Sequence, residues 1–484
     1  MSENESKIND VILDENISIS FKTTAEITKR TVIVSEAFGL GIDEEKQFTI
    51  YDNIQVQIKK NDIVYITGDS GGGKSCLLRI LKEKLSETLD VISLNDLKIN
   101  SEEILIENVG DTIEKAMEIL TQAGLGDAFL MLRKYSNLSD GQKYRYGIAK
   151  MINSSANVWL IDEFCAALDR DAAKVISYSL QKIARKLNRI VIVATTHNDL
   201  IHDLNPTLLI SKNFGEGVSI SRNNYEKNSF SLSDQITFRL STFKEYENSG
   251  LAAFHYKSSH QIAGIIHVYV AELHNKIIGA LITKYPPLEL QERNFITEKK
   301  YTKNYSELNK DIETISRVVI HPKFRGIGLG SRIVKKYIDS EHARKIVETI
   351  AVMARYNPFF ERAGMKRVVI ERKQITKNYE TLMLILEKLG FDLQLITSKR
   401  YNFDRLAKLE NNQIELLKNY LLKEYKKIVM LYGTKDSKNR IKLEEKINEE
   451  KECLEANKDF LAEAIKKIKK PDLAYYIYFK NNDK

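Results

Sequence analysis

Eight residues open the chemistry: Gly68, Asp69, Ser70, Gly71, Gly72, Gly73, Lys74 and Ser75, a G-x-x-x-x-G-K-S spacing. The glycines let backbone N–H groups converge on an anion with no side chain in the way. Lys74 suits the β- and γ-phosphates of a nucleotide, and the Ser75 hydroxyl suits Mg²⁺. An apolar run, Ile63-Val64-Tyr65-Ile66, leads in, and a helical pattern, Leu77-Leu78-Arg79-Ile80-Leu81, leads out. A strand, a glycine loop and a helix start together aim the positive end of a helix dipole at the phosphates.

Two carboxylates follow an apolar run: Val158-Trp159-Leu160-Ile161 and then Asp162-Glu163. A buried strand with acids at its C-terminal end matches where open α/β sheets hold ligands. Asp162 is placed to orient Mg²⁺ or its water, and Glu163 to polarise an attacking water. A further run, Ile190-Val191-Ile192-Val193-Ala194, ends in Thr195-Thr196-His197. Leu138-Ser139-Asp140-Gly141-Gln142 opens a helix, and Ala166-Ala167-Leu168-Asp169 follows the acids.

In this order the set resembles an ABC-type ATPase over residues 30–225. The resemblance implies ATP as ligand, held by residues 68–75, with Mg²⁺ on Ser75 and Asp162. It makes Glu163 the catalytic glutamate and His197 the switch histidine. It assigns Ser139, Gly141 and Gln142 to the signature motif and Asp169 to the D-loop, all facing nucleotide. In that family the signature completes the site of a second subunit, so a homodimer with two-fold symmetry is implied. Three departures stand out: Asp140 where glycine is usual, Ala166 for a frequent serine, and no glutamine between Cys76 and Thr121. Glu102, Glu103 or Glu107 stands where the absent glutamine would act, or else lies on a solvated helix face. The short stretch between loop and signature, where transporters couple to membrane helices, points to a soluble member.

A second constellation lies further on. A strand pattern near residues 315–321 runs into Arg325-Gly326-Ile327-Gly328-Leu329-Gly330 and a helical stretch. This is another anion cradle at a helix start, without the Lys-Ser ending. With Asn357-Pro358-Phe359-Phe360-Glu361-Arg362-Ala363-Gly364-Met365, it resembles the GNAT acetyltransferases over about residues 235–372. The resemblance implies acetyl-coenzyme A, its pyrophosphate on residues 325–330, with Val318, Ile320, Asn357 and Phe360 also at the cofactor. Many relatives place a tyrosine proton donor near Phe360, which has no proton to give, so Tyr356 or a water is left for that role. Glu272, Glu313 and His321 are the candidate bases.

The elements that must position these groups are partly legible. Residues 31–34, 48–51 and 54–58 read as short strands, and residues 266–282 as a hairpin around His274-Asn275. Residues 285–305 interleave Tyr285, Arg293, Phe295, Tyr301 and Tyr305 with lysines, which reads either as a nucleobase clamp or as an insertion that packs. Residues after 375 recur at helical spacing, and from 371 onward 25 Lys and Arg face 19 Asp and Glu, which carries most of the chain's net +8. That region reads as a nucleic-acid contact or as a solvated helical brace.

The expected architecture is α/β: an extension (1–28), an ABC-type P-loop ATPase domain (29–225), a GNAT α/β acetyltransferase domain (226–374) and a helical basic region (375–484). Cys76, Cys165 and Cys453 are far apart, fit neither a metal site nor a disulfide framework, and suggest a reducing, cytoplasmic setting. No apolar run reaches the roughly 18 residues of a membrane span. Residues 1–15 are polar and acidic, unlike a signal peptide. The expected function is an ATPase coupled to acetyl-coenzyme A-dependent N-acetylation of a macromolecule, with RNA and DNA among the candidates. The alternative is a nucleotide-gated nucleic-acid clamp or assembly factor whose GNAT fold binds a ligand or transfers another group.

Overall fold

The fold is that of a computed structural model, which describes residues 10–23, 25–42, 46–213, 217–224, 230–255, 262–352, 356–369, 377–432, 458–468 and 473–480. It divides into two compact units, residues 1–367 with 475–484, and residues 368–474.

The first unit begins with a long antiparallel pair, β1 (Val11–Thr23) and β2 (Lys46–Lys59). A six-stranded sheet follows: β3 (Ile63–Gly68), β4 (Val91–Ser93), β5 (Val158–Ile161), β6 (Ile190–Ala194), β7 (Leu208–Lys212) and β8 (Val218–Arg222), in the order β4-β5-β6-β3-β7-β8. All its pairings are parallel except β7 with β8. Strands β3, β5 and β6 are buried along their whole length, so unbroken apolar runs rather than alternation mark them. Leu77, Leu81 and Leu85 of the helix Lys74–Ser86 pack on one face, and Ile176, Leu180 and Ile183 of the helix Arg170–Leu187 on the other.

A seven-stranded sheet forms the rest of the first unit. Its strands are β9 (Thr237–Ser241), β10 (Ile265–Leu273), β11 (Lys276–Lys284), β12 (Ile312–Ile320), β13 (Ile346–Ala351), β14 (Lys366–Val368) and β15 (Ala474–Phe479), in the order β14-β15-β13-β12-β11-β10-β9. The hairpin β10–β11 turns at His274 and Asn275, both in the left-handed region at φ 49 and 59. β12 pairs antiparallel with β11 but parallel with β13, and that parallel pairing covers only residues 312–314 against 346–348. Beyond it the two strands form no further backbone pairing, and the glycine loop leads from the far end of β12 into the helix Leu329–Ile338.

Several expectations are corrected. Residues 31–34 are not a strand but part of the helix Lys29–Ala37, because Thr28 and Thr31 cap it reciprocally: each backbone N–H donates to the other's hydroxyl. Its apolar side chains remain exposed, Ile33 at 63% and Val34 at 55%. Residues 1–28 are not a mere extension, since β1 belongs to the sheet pair. Residues 375–484 are not wholly helical, since β15 closes into the larger sheet between β13 and β14. In the second unit the helices Lys377–Lys388, Lys399–Leu406, Asn411–Tyr432 and Lys458–Ile468 enclose Leu386, Leu406, Leu417 and Ile465. Most of the charged stretch at 442–470 lies outside the described residues.

Residues 285–305 divide: Arg293 and Tyr301 are buried, whereas Tyr285, Phe295 and Tyr305 are exposed. Arg293 is 1% exposed and its Nη1 lies 3.1 Å from Oε1 of Glu348, which is fully buried. Thr314 Oγ1 donates to the same oxygen at 2.9 Å, and the Tyr475 hydroxyl donates to Oε2 at 2.7 Å. One carboxylate thus gathers the insertion, β12 and β15. Arg293→Ala leaves that carboxylate buried without its cation, so unfolding free energy should fall by about 3–5 kcal/mol. Urea denaturation measures this; an unmoved midpoint would show that the pair does not hold the sheet.

Candidate functional site

The phosphate loop is shaped by backbone contacts. Gly68 has φ 136, and a Cβ there would lie 1.8 Å from the Lys212 carbonyl oxygen of β7. Gly73, at φ 81, would put a Cβ 2.4 Å from Ile50 Cγ2 of β2. Both positions therefore exclude side chains for two reasons, conformation and space. The Lys74 ammonium donates to the Gly68 and Asp69 carbonyls at 2.9 and 2.6 Å, folding back over the loop. Burial pushes its pKa down, while Asp162 and Asp69 pull it back up.

One open pocket gathers Ser70, Lys74, Ser75, Asp162, Glu163 and Thr196. Ser75 and Asp162 thus share a pocket with Lys74 and would hold Mg²⁺, which would supply charge neutralisation for the phosphates. Glu163, next to Asp162, has φ 50 and donates its N–H to Asp162 Oδ1 at 3.0 Å. Cys165 repeats the left-handed conformation at φ 60, and its N–H donates to the buried Tyr144 hydroxyl at 2.8 Å. Burial pushes the Cys165 thiol up to about 12, so it stays protonated and inert. His197 follows the lining residues Thr195 and Thr196. Its N–H donates to Thr195 Oγ1 at 3.2 Å, and its carbonyl accepts from the Tyr65 hydroxyl.

The signature residues lie elsewhere. Ser139 and Asp140 are exposed at the start of the helix Asp140–Asn153. Gln142 does not point outward: its Oε1 accepts the Ser139 N–H at 3.0 Å, completing a capping box. Gly141 packs its α-carbon against the 166–169 turn, where a Cβ would lie 3.3 Å from the Ala167 carbonyl. Asp169 caps the helix Arg170–Leu187 through the Ala172 N–H at 3.2 Å. Two of the three acids suggested for the absent glutamine are otherwise engaged, and the third, Glu107, is exposed. Glu103 accepts from the Tyr146 hydroxyl at 2.5 Å and pairs with Lys150 at 2.9 Å, and Glu102 pairs with Lys134 at 2.6 Å.

Similarity to known proteins agrees with this geometry. A family model described as ABC transporter matches residues 51–115. The methionine import ATP-binding protein MetN of Helicobacter hepaticus is 28% identical over 255 residues, 45% of this chain and 71% of that protein. MetN 2 of Oceanobacillus iheyensis is 25% identical over 348 residues, 60% of this chain and 98% of its own. The chain carries an ATP-binding ABC-type ATPase domain. The lipoprotein-releasing system ATP-binding protein LolD of Ehrlichia ruminantium is 28% identical over 35% of this chain and 87% of its own. No helix among the described residues is long and apolar enough to cross a membrane.

Around the second glycine loop, the assigned residues divide. Gly328 (φ 82) starts the helix with open space around it, and Gly330 packs on Phe359 and Ile320, 3.7 and 3.9 Å from a would-be Cβ. Val318 and Ile320 face β11 in register with Leu281 and Gly279, on the part of β12 that has left β13. Arg325 points away from the cradle. Its Nε donates to the Ile320 carbonyl at 2.9 Å, and its Nη1 donates to the Gly126 carbonyl of the ATPase domain at 2.7 Å. Phe360 is core, with ring centroids 4.1 Å from Phe359 and 5.5 Å from Tyr476. Asn357 is exposed and Tyr356 half-buried.

Two of the three base candidates do not fit that role, and the third serves as a cap. Glu313 is fully buried at the opposite end of β12 from the loop, about 23 Å away at the rise of a strand. It accepts from the Tyr337 hydroxyl at 2.8 Å and the Arg344 N–H at 2.9 Å, with His267 Nδ1 at 3.4 Å. Burial pushes its carboxyl up, yet these hydrogen bonds hold it below the ordinary value, as an anchored carboxylate. Glu272 accepts from Arg239 Nε at 2.7 Å near the sheet edge. His321 Nδ1 accepts the Lys323 N–H at 3.3 Å. Lys323, which no motif singled out, has its Nζ 3.0 Å from Asp169 Oδ2.

Glu163→Gln should lower ATP turnover by about 10²–10⁴-fold while ATP still binds, because it removes the base and keeps the shape. Lys74→Ala should abolish binding. Phosphate release and binding of a fluorescent ATP analogue read the two effects separately.

Proposed function

We propose that the chain couples its ATPase domain to acetyl-coenzyme A-dependent N-acetylation by the seven-stranded domain. The observation that carries this reading is the parting of β12 from β13. The parallel backbone pairing ends at residues 314 and 348; the Thr349 hydroxyl still donates to the Ile315 carbonyl at 2.9 Å, and from residue 316 onward β12 forms no pairing with β13. An extended thiol arm can pair with such an edge, while the loop 325–330 at the start of the helix Leu329–Ile338 takes a diphosphate. The strand order, with the last strand inserted between β13 and β14, supports the same reading.

In the proposed step the acceptor amine attacks the thioester carbonyl. A C–N bond forms, the C–S bond breaks, the amine loses a proton and the coenzyme thiolate gains one. Tyr356 is the proposed donor, since Phe360 is apolar and packed. Glu272 and Glu313 are engaged elsewhere, so a water is the proposed base. A macromolecular amine is favoured as acceptor, because an ATPase gives little to the acetylation of a small molecule. The ATPase acts as a homodimer in this reading, which is supported by Ser139 being exposed and lying outside the lining of its own chain's pocket.

A second reading has support from the relatives, whose names assign them to methionine import and lipoprotein release. In it the ATPase serves a separate membrane partner, and the second domain senses a ligand. Calorimetry with acetyl-coenzyme A separates the two. Wild type should bind, and Gly328→Asp, which places a carboxylate and a strained backbone in the cradle, should not. Labelled acetyl-coenzyme A should then mark one of the RNA, DNA or protein fractions of a cell extract. Absence of binding by wild type would exclude the acetyltransferase reading.

A further inference from the structure

The contact between the two domains of the first unit falls on the cradle proposed for the coenzyme. Lys323 pairs with Asp169 at 3.0 Å. Arg325 donates to the Gly126 carbonyl at 2.7 Å and lies 3.8 Å from Asp127 Oδ2. Gly326 touches backbone directly, since a Cβ there would lie 2.7 Å from the Thr121 carbonyl oxygen. The start of the loop is thus held by the ATPase domain, whereas Gly328 has open space around it.

Asp169 ends the turn that begins at Asp162 and Glu163 in the nucleotide pocket, and Ala166 between them lines that pocket as well. Glu163 and Cys165 hold left-handed conformations there, at φ 50 and 60. Side-chain-bearing residues persist in that region only where their surroundings over-determine them. Asp169 is thus joined to the pocket by the short turn that carries Asp162, Glu163 and Ala166.

We propose that this contact is a nucleotide-controlled latch on coenzyme binding: the ATPase domain pairs off the two cations beside the glycine loop, and closure of the nucleotide pocket releases them. The proposal rests on the acetyl-coenzyme A reading above. Lys323 and Arg325 are neutralised by Asp169 and Asp127 while docked, so the cradle meets an anionic ligand with less positive charge than its sequence carries. Each cation released near a phosphate strengthens binding by about fivefold at 4 Å in water.

The test measures acetyl-coenzyme A affinity of the full chain by calorimetry, with and without Mg²⁺ and a non-hydrolysable ATP analogue. A second arm uses the double variant Asp127→Asn with Asp169→Asn and no nucleotide. Asparagine still accepts the N–H groups of Phe129 and Ala172, so both helix caps survive. In wild type the analogue should tighten coenzyme binding at least fivefold, and the coenzyme should tighten analogue binding by the same factor. The double variant should bind coenzyme without nucleotide as tightly as wild type does with it. Wild-type affinity that is unchanged or weakened by the analogue overturns the latch while leaving the acetyltransferase reading intact. So does a double variant that matches nucleotide-free wild type. Absence of coenzyme binding in every state removes both.

Discussion

The turn from Asp162 to Asp169 is the constraint on which the arrangement depends. It leaves the end of β5 with two left-handed residues, each costing on the order of 1–3 kcal/mol. Buried groups hold it in that shape. The Phe164 N–H donates to the Ala194 carbonyl at 2.9 Å, Thr195 Oγ1 donates to the Phe164 carbonyl at 3.1 Å, and Tyr144 accepts from Cys165. Through these bonds the turn is tied at once to β6, to the signature helix and to the pocket. The carboxylates of Asp162 and Glu163 owe their position to this turn rather than to the strand alone.

The seven-stranded domain has its own organising group in Glu348. A buried carboxylate must find donors, and this one finds them on three separate segments, Arg293, Thr314 and Tyr475. Burial still pushes its carboxyl above the ordinary value, against the pull of Arg293. The knot lies at the last paired position of β12 and β13. Backbone pairing of the two strands therefore stops at residues 314 and 348, with one further bond from the Thr349 hydroxyl to the Ile315 carbonyl at 2.9 Å. The segment joining the domains is pinned at both ends. Ser231 donates to Asp203 at 2.7 and 2.9 Å, and Arg332 donates to Ser233 at 3.1 and 2.9 Å.

Local chemistry read best where one segment supplied the whole signal. The phosphate loop, the acids after β5 and the His274-Asn275 turn each need residues adjacent in the chain, and those were legible. Residues 31–34 misled because Thr-Val-Ile-Val has strand propensity, while the reciprocal cap from Thr28 won locally. The run Tyr475-Tyr476-Ile477-Tyr478 carried the aromatic and β-branched composition of a strand, and the basic helical stretch before it obscured that signal. Arg325 read as a phosphate ligand from its motif, yet its guanidinium faces a carbonyl of another domain.

A nucleotide site made of a glycine loop and acids at a strand's end can be read from the chain alone, because spacing along a strand, turn and helix start holds those atoms through bonds and backbone geometry. The second glycine loop at a helix start can be read in the same way. Which charges are available there depends on how distant segments pack. Glu313 is sealed under Tyr337 and Arg344, and Lys323 and Arg325 are paired with Asp169 and Asp127. Charge pairing and burial act here between residues 24 to 198 positions apart, and no local pattern in the chain encodes which of them will meet.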